Sequence, residues 1–312
     1  MLRENDDKST PLISVIMNCY NSATYLRQAI DSVYSQSYKN FEIIFWDNAS
    51  TDDSAEIAKS YDFKIKYYRG SETIPLGAAR NKAIEKASGE LIAFLDCDDL
   101  WMPLKLEKQV PLFQDSEVDL VFCDSLFFND SGYEKRLFSK TRFYTGHCFS
   151  KLLSNYFLSM ETIVIRRSAL DRLSYWFDER FNMIEEADLF RRIAMTGKLA
   201  TVNEVLAKWR IHSGSWTWQK TELFWKETKL MLEAYEEKDP EFSVKYKEEI
   251  RILNSGLARE EAIHLLLIGE ARKARKKIME DNSVFKGKII LLLTFFPSRL
   301  LKFVFKLLGK AS

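Results

Sequence analysis

Three aspartates, Asp96, Asp98 and Asp99, close the apolar run "LIAFLDCDD" and are the residues of this chain best placed to do chemistry. Carboxylates one residue apart repel each other unless something positive lies between them. A divalent cation shared with the phosphates of a nucleotide would use both Asp96 and Asp98. An isolated D-x-D is also common as a solvated turn, so neighbouring motifs must decide. Asp47 ends a second apolar run, "FEIIFWD", in the same way and is followed by Asn48. An acid there can accept from a ribose or base, as acids after Rossmann-type strands do. The glycine-rich phosphate loop of a dinucleotide fold is missing, because neither "GSETIPLG" nor "LGAAR" supplies G-x-G-x-x-G. Phosphate neutralisation is therefore expected from a metal rather than from a helix N-terminus over glycines.

Such acids need a buried sheet to hold them. Between Pro11 and Leu126 the runs "LISVIMNCY", "FEIIFWD", "KIKYYRG", "LIAFLD" and "VDLVFCD" predict strands, several too uniformly apolar to have a wet face. Alternation with helix-like segments predicts a parallel or mostly parallel sheet covered on both faces, an α/β fold. Leu26, Ala29, Ile30 and Val33 fall at helical spacing behind the cap candidates Asn21 and Ser22, and Ser50 to Asp53 reads as a second N-cap. Residues 127–157 are irregular and aromatic. Beyond them "METIVIRRSAL" predicts a strand and a helix start, Glu185 to Ala194 a helix, and "LATVNEVLAKWRIH" one or two strands. From Trp216 the pattern turns to consecutive helices, with breaks expected at Asp239–Pro240 and near Gly256. The expected division is 1–215, a helical extension 216–284, and a tail 285–312.

The bulk numbers exclude more than they identify. With 46 basic and 45 acidic residues in 312, the chain gives no whole-molecule reason to bind nucleic acid. The four cysteines, Cys19, Cys97, Cys123 and Cys148, form neither a CxxC pair nor a zinc spacing and read as reduced thiols. The start, "MLRENDDKSTP", has no apolar signal segment, so a cytoplasmic location is expected. The tail carries six basic and no acidic residues, and Pro297 divides its apolar part, so neither half reaches the roughly 20 residues a spanning helix needs. Arg299, Lys302, Lys306 and Lys310 recur every three or four positions, the spacing of an interfacial helix. That pattern predicts attachment to an anionic membrane, at its inner face; packing on the helical extension or oligomerisation is the alternative.

Taken in order, the motifs resemble those of the family 2 glycosyltransferases, with the GT-A fold. "PLISVIMNCYNSATYLRQAIDSVYSQSYKNFEIIFWDNASTDDS" is similar to the family's opening, "GAARNKAIEKASGELIAFLDCDD" to its central motif, and "EEADL" and "WRIHSGS" to its later ones. The resemblance covers about 200 residues, to Ser215. It implies a GT-A nucleotide-binding sheet and inverting transfer of a sugar from a nucleotide diphosphate sugar, a UDP-sugar first, to a saccharide or lipid-linked saccharide acceptor. The implied cofactor is Mn²⁺ or Mg²⁺.

Residue by residue, the resemblance puts Cys19, Tyr20, Asp47 and Asn48 at the nucleoside, and Arg80 and Asp96 at the diphosphate or its loop. Asp98 becomes the main metal ligand, with Asp96 beside it. Arg210 and His212 fall near the diphosphate, His212 as a further metal ligand or a charge partner. Glu186 takes the place of the general base, where the family usually has Asp, with Glu185 and Asp188 as alternatives. An acidic first helical turn would also account for "EEAD". Trp209, Trp216 and Trp218 could offer a face for sugar stacking, Trp209 equally a core position. A nucleotidyltransferase, or a binding module without catalysis, is the alternative reading.

Overall fold

The computed structural model describes residues 10–212, Gly214, 220–280, Leu291 and Phe295. Among the described residues nine strands form one mixed sheet: β1 (Ile13–Cys19), β2 (Phe41–Asp47), β3 (Ile65–Arg69), β4 (Leu91–Phe94), β5 (Leu100–Trp101), β6 (Val118–Phe128), β7 (Glu134–Arg136), β8 (Val164–Arg166) and β9 (Lys198–Arg210). Their order is β3-β2-β1-β4-β8-β6-β9-β5, with β7 beside β6. The first four strands are parallel, as their uniform hydrophobicity predicts. β8 then runs antiparallel to both β4 and β6, so the sheet is mixed.

The helices are α1 (Ala23–Tyr34), α2 (Ser54–Lys59), α3 (Leu76–Ile84), α4 (Lys105–Gln109), α5 (Phe149–Ser154), α6 (Arg167–Asp171), α7 (Glu185–Ala194), α8 (Thr221–Lys238), α9 (Phe242–Lys245), α10 (Lys247–Leu267) and α11 (Ala271–Glu280). Ile13, Val15, Met17 and Cys19 of β1 share one buried cluster with Leu26, Ala29, Ile30 and Val33 of α1. The alternate residues Ile16, Ile44 and Phe94 are buried as well, on the face where α3 packs against β1 and β2. Both faces of the parallel strands are therefore dry, each buried aliphatic residue contributing about 2 kcal/mol.

Two compact units emerge. The first holds the described residues through Cys148, Phe157–Arg180 and Arg192–Arg210, and thus the whole sheet; the second holds Phe149–Tyr156, Phe181–Arg191 and the described residues from Ile211 onward. In the second, α10 packs against α5, α8 and α11.

Local expectations differ from the structure at three places. Ser22 precedes α1 but makes no capping bond; instead the Ala23 amide donates to Asp52 from the β2–α2 loop (3.0 Å). Asp52 also accepts from the Ser54 amide at the start of α2, so one acid serves both helices and Ser50 is free to accept from the Asn21 amide (3.1 Å). Gly256 does not break its helix: α10 runs through it, and the chain turns at Gly269, whose φ of +93° suits a residue without Cβ.

Candidate active site

Strand register assembles the first part of the site. Cys19 lies opposite Asp47 where β1 and β2 end side by side. β4 pairs with β1 through Phe94 opposite Ile16, and the Leu95 amide still donates to Ile16 (3.1 Å) before the chain leaves the sheet as Asp96–Asp99. The Cys97 thiol donates back to the Asn18 carbonyl (3.2 Å). Cys19, Asp47 and the acidic loop thus share the carboxyl edge of three adjacent parallel strands, where open α/β sheets present ligands.

Two arginines supply the positive charge that the acids demand. Arg80 of α3, almost wholly buried, donates to Asp96 Oδ1 at 2.9 Å while its guanidinium lies 5.6 Å from the Phe177 ring. Arg210, at the end of β9, gives its amide to Asp99 (2.9 Å) and its Nε to the Asp98 carbonyl (3.0 Å). Its remaining guanidinium nitrogens go to Asp130 (2.9 Å) and Gln28 (2.8 Å), so Arg210 braces the loop from the buried side. Burial pushes the Asp99 carboxyl well above the usual range, and the charges of Asp98, Glu161 and Asp96 push it further. Burial likewise raises Glu161, against hydrogen bonds from Ser125 and Ser159.

Asp47 is fully enclosed. Its carboxylate accepts from the Ser50 amide (2.7 Å), the Tyr67 hydroxyl (2.6 Å) and Arg69 (2.5 Å). Burial would raise its pKa, but those donors outweigh it and hold Asp47 below the usual carboxylate value. Asn48 ties two loops together, donating to the Ile74 carbonyl (2.8 Å) and accepting from the Ile74 amide (3.2 Å). Ala49, next in the chain, sits at φ +62°, a left-handed conformation costly for a residue with a Cβ. Tyr20 is exposed, the Cys19 thiol is buried, and a hydrogen bond from Cys97 pulls Cys19 down to about 7 against the effect of burial, with help from Ser54, Ser50 and the Ser22 amide. All four cysteines are free thiols.

The acids of α7 have different fates within the second unit. Glu186 accepts from the Tyr156 hydroxyl at 3.2 Å, and Arg191, one turn further along, lies 5.0 Å from the Tyr156 ring. Asp188 is 1% exposed and accepts from the Tyr235 hydroxyl of α8 (2.9 Å). Glu185 is buried too. Glu227 of α8 receives three successive amides, Asn182 (3.0 Å), Met183 (2.9 Å) and Ile184 (3.3 Å), immediately before α7. A carboxylate against unpaired amides at a helix N-terminus fixes that end.

Among the described residues no group of three or more His, Cys, Asp and Glu side chains could hold a metal unaided. A pair of carboxylates completed by phosphate oxygens is nevertheless the usual donor set for a hard divalent cation. Asp96, whose side chain is 39% exposed, and Asp98 two residues on offer such a pair. His212, half-buried, is described, but most residues after it up to Lys220 are not. Trp209 packs edge-on against Phe127 (5.0 Å), whereas Trp216, Trp218 and nearly all of the 285–312 tail lie outside the described residues.

Several holding residues escaped the motifs. Tyr67 and Arg69 were within reach, since parallel register sets Arg69 opposite Asp47. Tyr156 and Glu227 had no local signal, because each acts through a partner distant in sequence, and Glu161 takes one of its two serines, Ser125, from β6.

Comparison with known proteins now decides the family. Residues 14–174 match the family model described as "Glycosyl transferase family 2". The chain is a family 2 glycosyltransferase. An uncharacterized glycosyltransferase of Rickettsia typhi is 32% identical over 221 residues, 67% of this enzyme and 66% of that protein. The enzyme thus spans about two thirds of that relative's length. An Escherichia coli relative named UDP-Glc:alpha-D-GlcNAc-diphosphoundecaprenol beta-1,3-glucosyltransferase WfgD is 27% identical over 65% of this chain and 79% of its own. The crystal structure of S. aureus TarS 1-349 in complex with UDP-GlcNAc superposes with a TM-score of 0.67 at 18% identity, covering 92% of this chain and 87% of that one. The mannosyltransferase PcManGT from Pyrobaculum calidifontis, in complex with GDP-Man and Mn²⁺, gives 0.60 at 19% identity, over 97% and 89%. These likenesses establish the GT-A fold expected from the sequence.

Proposed function

We propose that this enzyme transfers a sugar, with inversion, from a nucleotide diphosphate sugar to a saccharide or lipid-linked saccharide acceptor, a UDP-sugar being the first donor to test. The observation that carries the reading is the acidic loop Asp96–Asp99 beside Cys19 and Asp47 at one sheet edge, held by Arg80 and Arg210. The named substrates of the Escherichia coli relative and the UDP-GlcNAc in the TarS complex support the choice of donor and of acceptor class.

In this mechanism Glu186 takes the proton of the acceptor hydroxyl, and the freed oxygen pair attacks the anomeric carbon. The bond to the diphosphate breaks with its electrons on the departing oxygen, so the new bond forms on the opposite face. Arg80 and His212 offset the charge that develops there. Tyr156 keeps Glu186 in one orientation. Asp98 and Asp96 would hold Mn²⁺ or Mg²⁺, with His212 as a further candidate; when bound, the ion neutralises the diphosphate. Cys19, Tyr20 and Asn48 contribute to the nucleoside pocket, and Asp47 shapes it through Arg69 and the Ser50 loop.

Along the chain, residues 1–215 make up the glycosyltransferase domain, 216–284 a helical extension and 285–312 a tail on the inner face of the membrane. No helix among the described residues is long and apolar enough to span a bilayer.

Binding of UDP with and without Mn²⁺, measured by calorimetry on wild type and Asp98→Asn, tests the assignment. The variant is expected to keep its fold and lose at least tenfold in metal-dependent affinity, on the order of 1.4 kcal/mol. Unchanged metal-dependent affinity would remove Asp98 from the site.

A further inference from the structure

Charge is distributed along this chain in two opposed blocks. Residues 271–312 contain eleven basic and two acidic side chains, while the preceding residues contain 35 basic and 43 acidic. A near-neutral total therefore conceals a strongly basic C-terminal block. α11, "ARKARKKIME", opens that block and lies within the described residues.

The helix has two different faces. Ala274 and Ile278 are buried against Ala262 and Leu266 of α10, with Leu291 packed on the same cluster. Lys277 turns toward α10 and pairs with Glu261 (2.8 Å). On the other side Arg272, Lys273 and Lys276 are exposed, and Met279 continues the row of Arg272 and Lys276 at helical spacing. Met279 is 69% exposed and Phe295 68%, and the Arg275 guanidinium lies 4.2 Å from the Phe295 ring. Lys273 and Lys276 pair with exposed acids, Glu270 (3.4 Å) and Glu280 (3.9 Å), within a turn of the helix, pairs of little consequence in water.

An ordinary solvated helix face explains exposed lysines. It does not explain an exposed methionine and phenylalanine set among them, at the head of a block of opposite charge to the rest of the chain. Large apolar side chains amid arginine and lysine suit a bilayer interface, where the apolar groups enter the headgroup boundary and the cations meet anionic lipid.

We infer that the outer face of α11, with Arg272, Lys273, Lys276 and Met279, docks on an anionic bilayer together with Phe295, which lies against Arg275. This goes beyond the proposed attachment of the tail by placing a folded helix at the lipid, and it rests on the same membrane setting. It would hold the second unit, which carries Glu186, close to a lipid-linked acceptor.

The test is cosedimentation of full-length protein with phosphatidylcholine vesicles, with and without about one third phosphatidylglycerol, at low and high salt. Three proteins are compared: wild type, R272Q/K273Q/K276Q, and a tail variant R299Q/K302Q/K306Q/K310Q. Wild type is expected to sediment with the anionic vesicles alone and to be released by salt. The α11 variant is expected to bind at least tenfold more weakly with an unchanged circular dichroism spectrum. If it binds like wild type while the tail variant is released, the α11 inference is wrong and the tail attachment stands. Loss in the α11 variant with full binding by the tail variant supports docking through α11 and removes the tail. Wild type that ignores anionic vesicles, or that binds soluble heparin instead of them, overturns the inference.

Discussion

The acidic loop after β4 and the acidic start of α7 use carboxylates in opposite ways. Around the loop, acids stand close together and their positive partners are arginines from other elements, Arg80 and Arg210. At α7 neutral groups donate to the acids, Tyr156 to Glu186 and Tyr235 to Asp188, while three amides ahead of the helix donate to Glu227 of α8 and the buried cation of Arg191 is close enough to act on Asp188. Negative charges set close together leave a net field that favours a cation. Neutral donors leave a carboxylate its charge while fixing its orientation. Under the proposed function, the first region does the electrostatic work and the second the acid–base work.

The most forceful way to break that contrast is Glu186→Gln. The amide keeps the size and can still accept from Tyr156, but it cannot take a proton. Transfer is expected to fall by about a hundredfold to ten-thousandfold while donor affinity in calorimetry stays level. Turnover close to wild type would move the base to Glu185 or Asp188.

A smaller effect is expected from Glu227→Gln. Losing the charge against three amides should cost about 2 kcal/mol, read as a lower urea midpoint with unchanged m-value. An unaffected midpoint would show that α7 needs no cap from α8.

Tyr67→Phe sharpens the other side of the comparison and should have the smallest effect. Asp47 is held below its ordinary value, so the stability it contributes is complete above the unfolded carboxylate pKa and lost as pH falls through the folded one. Removing the Tyr67 hydroxyl raises the folded value. The variant should be less stable by about 1.5 kcal/mol at pH 7, and the deficit should shrink below about pH 4. Urea midpoints across that range measure it; a deficit independent of pH would exclude Asp47 as the hydroxyl's main partner.

Much of this was legible in the residues themselves. The parallel strands were readable because "ISVIMNC" and "FEIIFWD" bury both faces, and α7 because an acidic first turn precedes an amphipathic run. β8 reversing the sheet was not, since three residues carry no signal of direction. Asp47 and Arg210 were legible as motif residues, yet their bracing bonds were not: Arg210 reaches Gln28 and Asp130, which no local spacing connects to it. Capping failed for the same reason. Asp52 reaches α1 across a loop, while propensity considers only Ser22 and its neighbours. Gly256 misled because packing of α10 outweighs the roughly 1 kcal/mol that an internal glycine costs.

The cap on α7 has a consequence for how the protein is made. A ribosome releases the strands, the acidic loop and Glu186 well before Glu227, which must still arrive to receive the amides of Asn182, Met183 and Ile184. The sheet can close around its arginine-braced loop only once Arg210 has emerged, and the helix bearing Glu186 must wait longer for its last partner. A nascent chain would therefore complete its braced acidic loop before the start of α7 is capped. Any stalled or clipped product lacking α8 should keep the arginine-braced loop while the start of the helix bearing Glu186 stays uncapped.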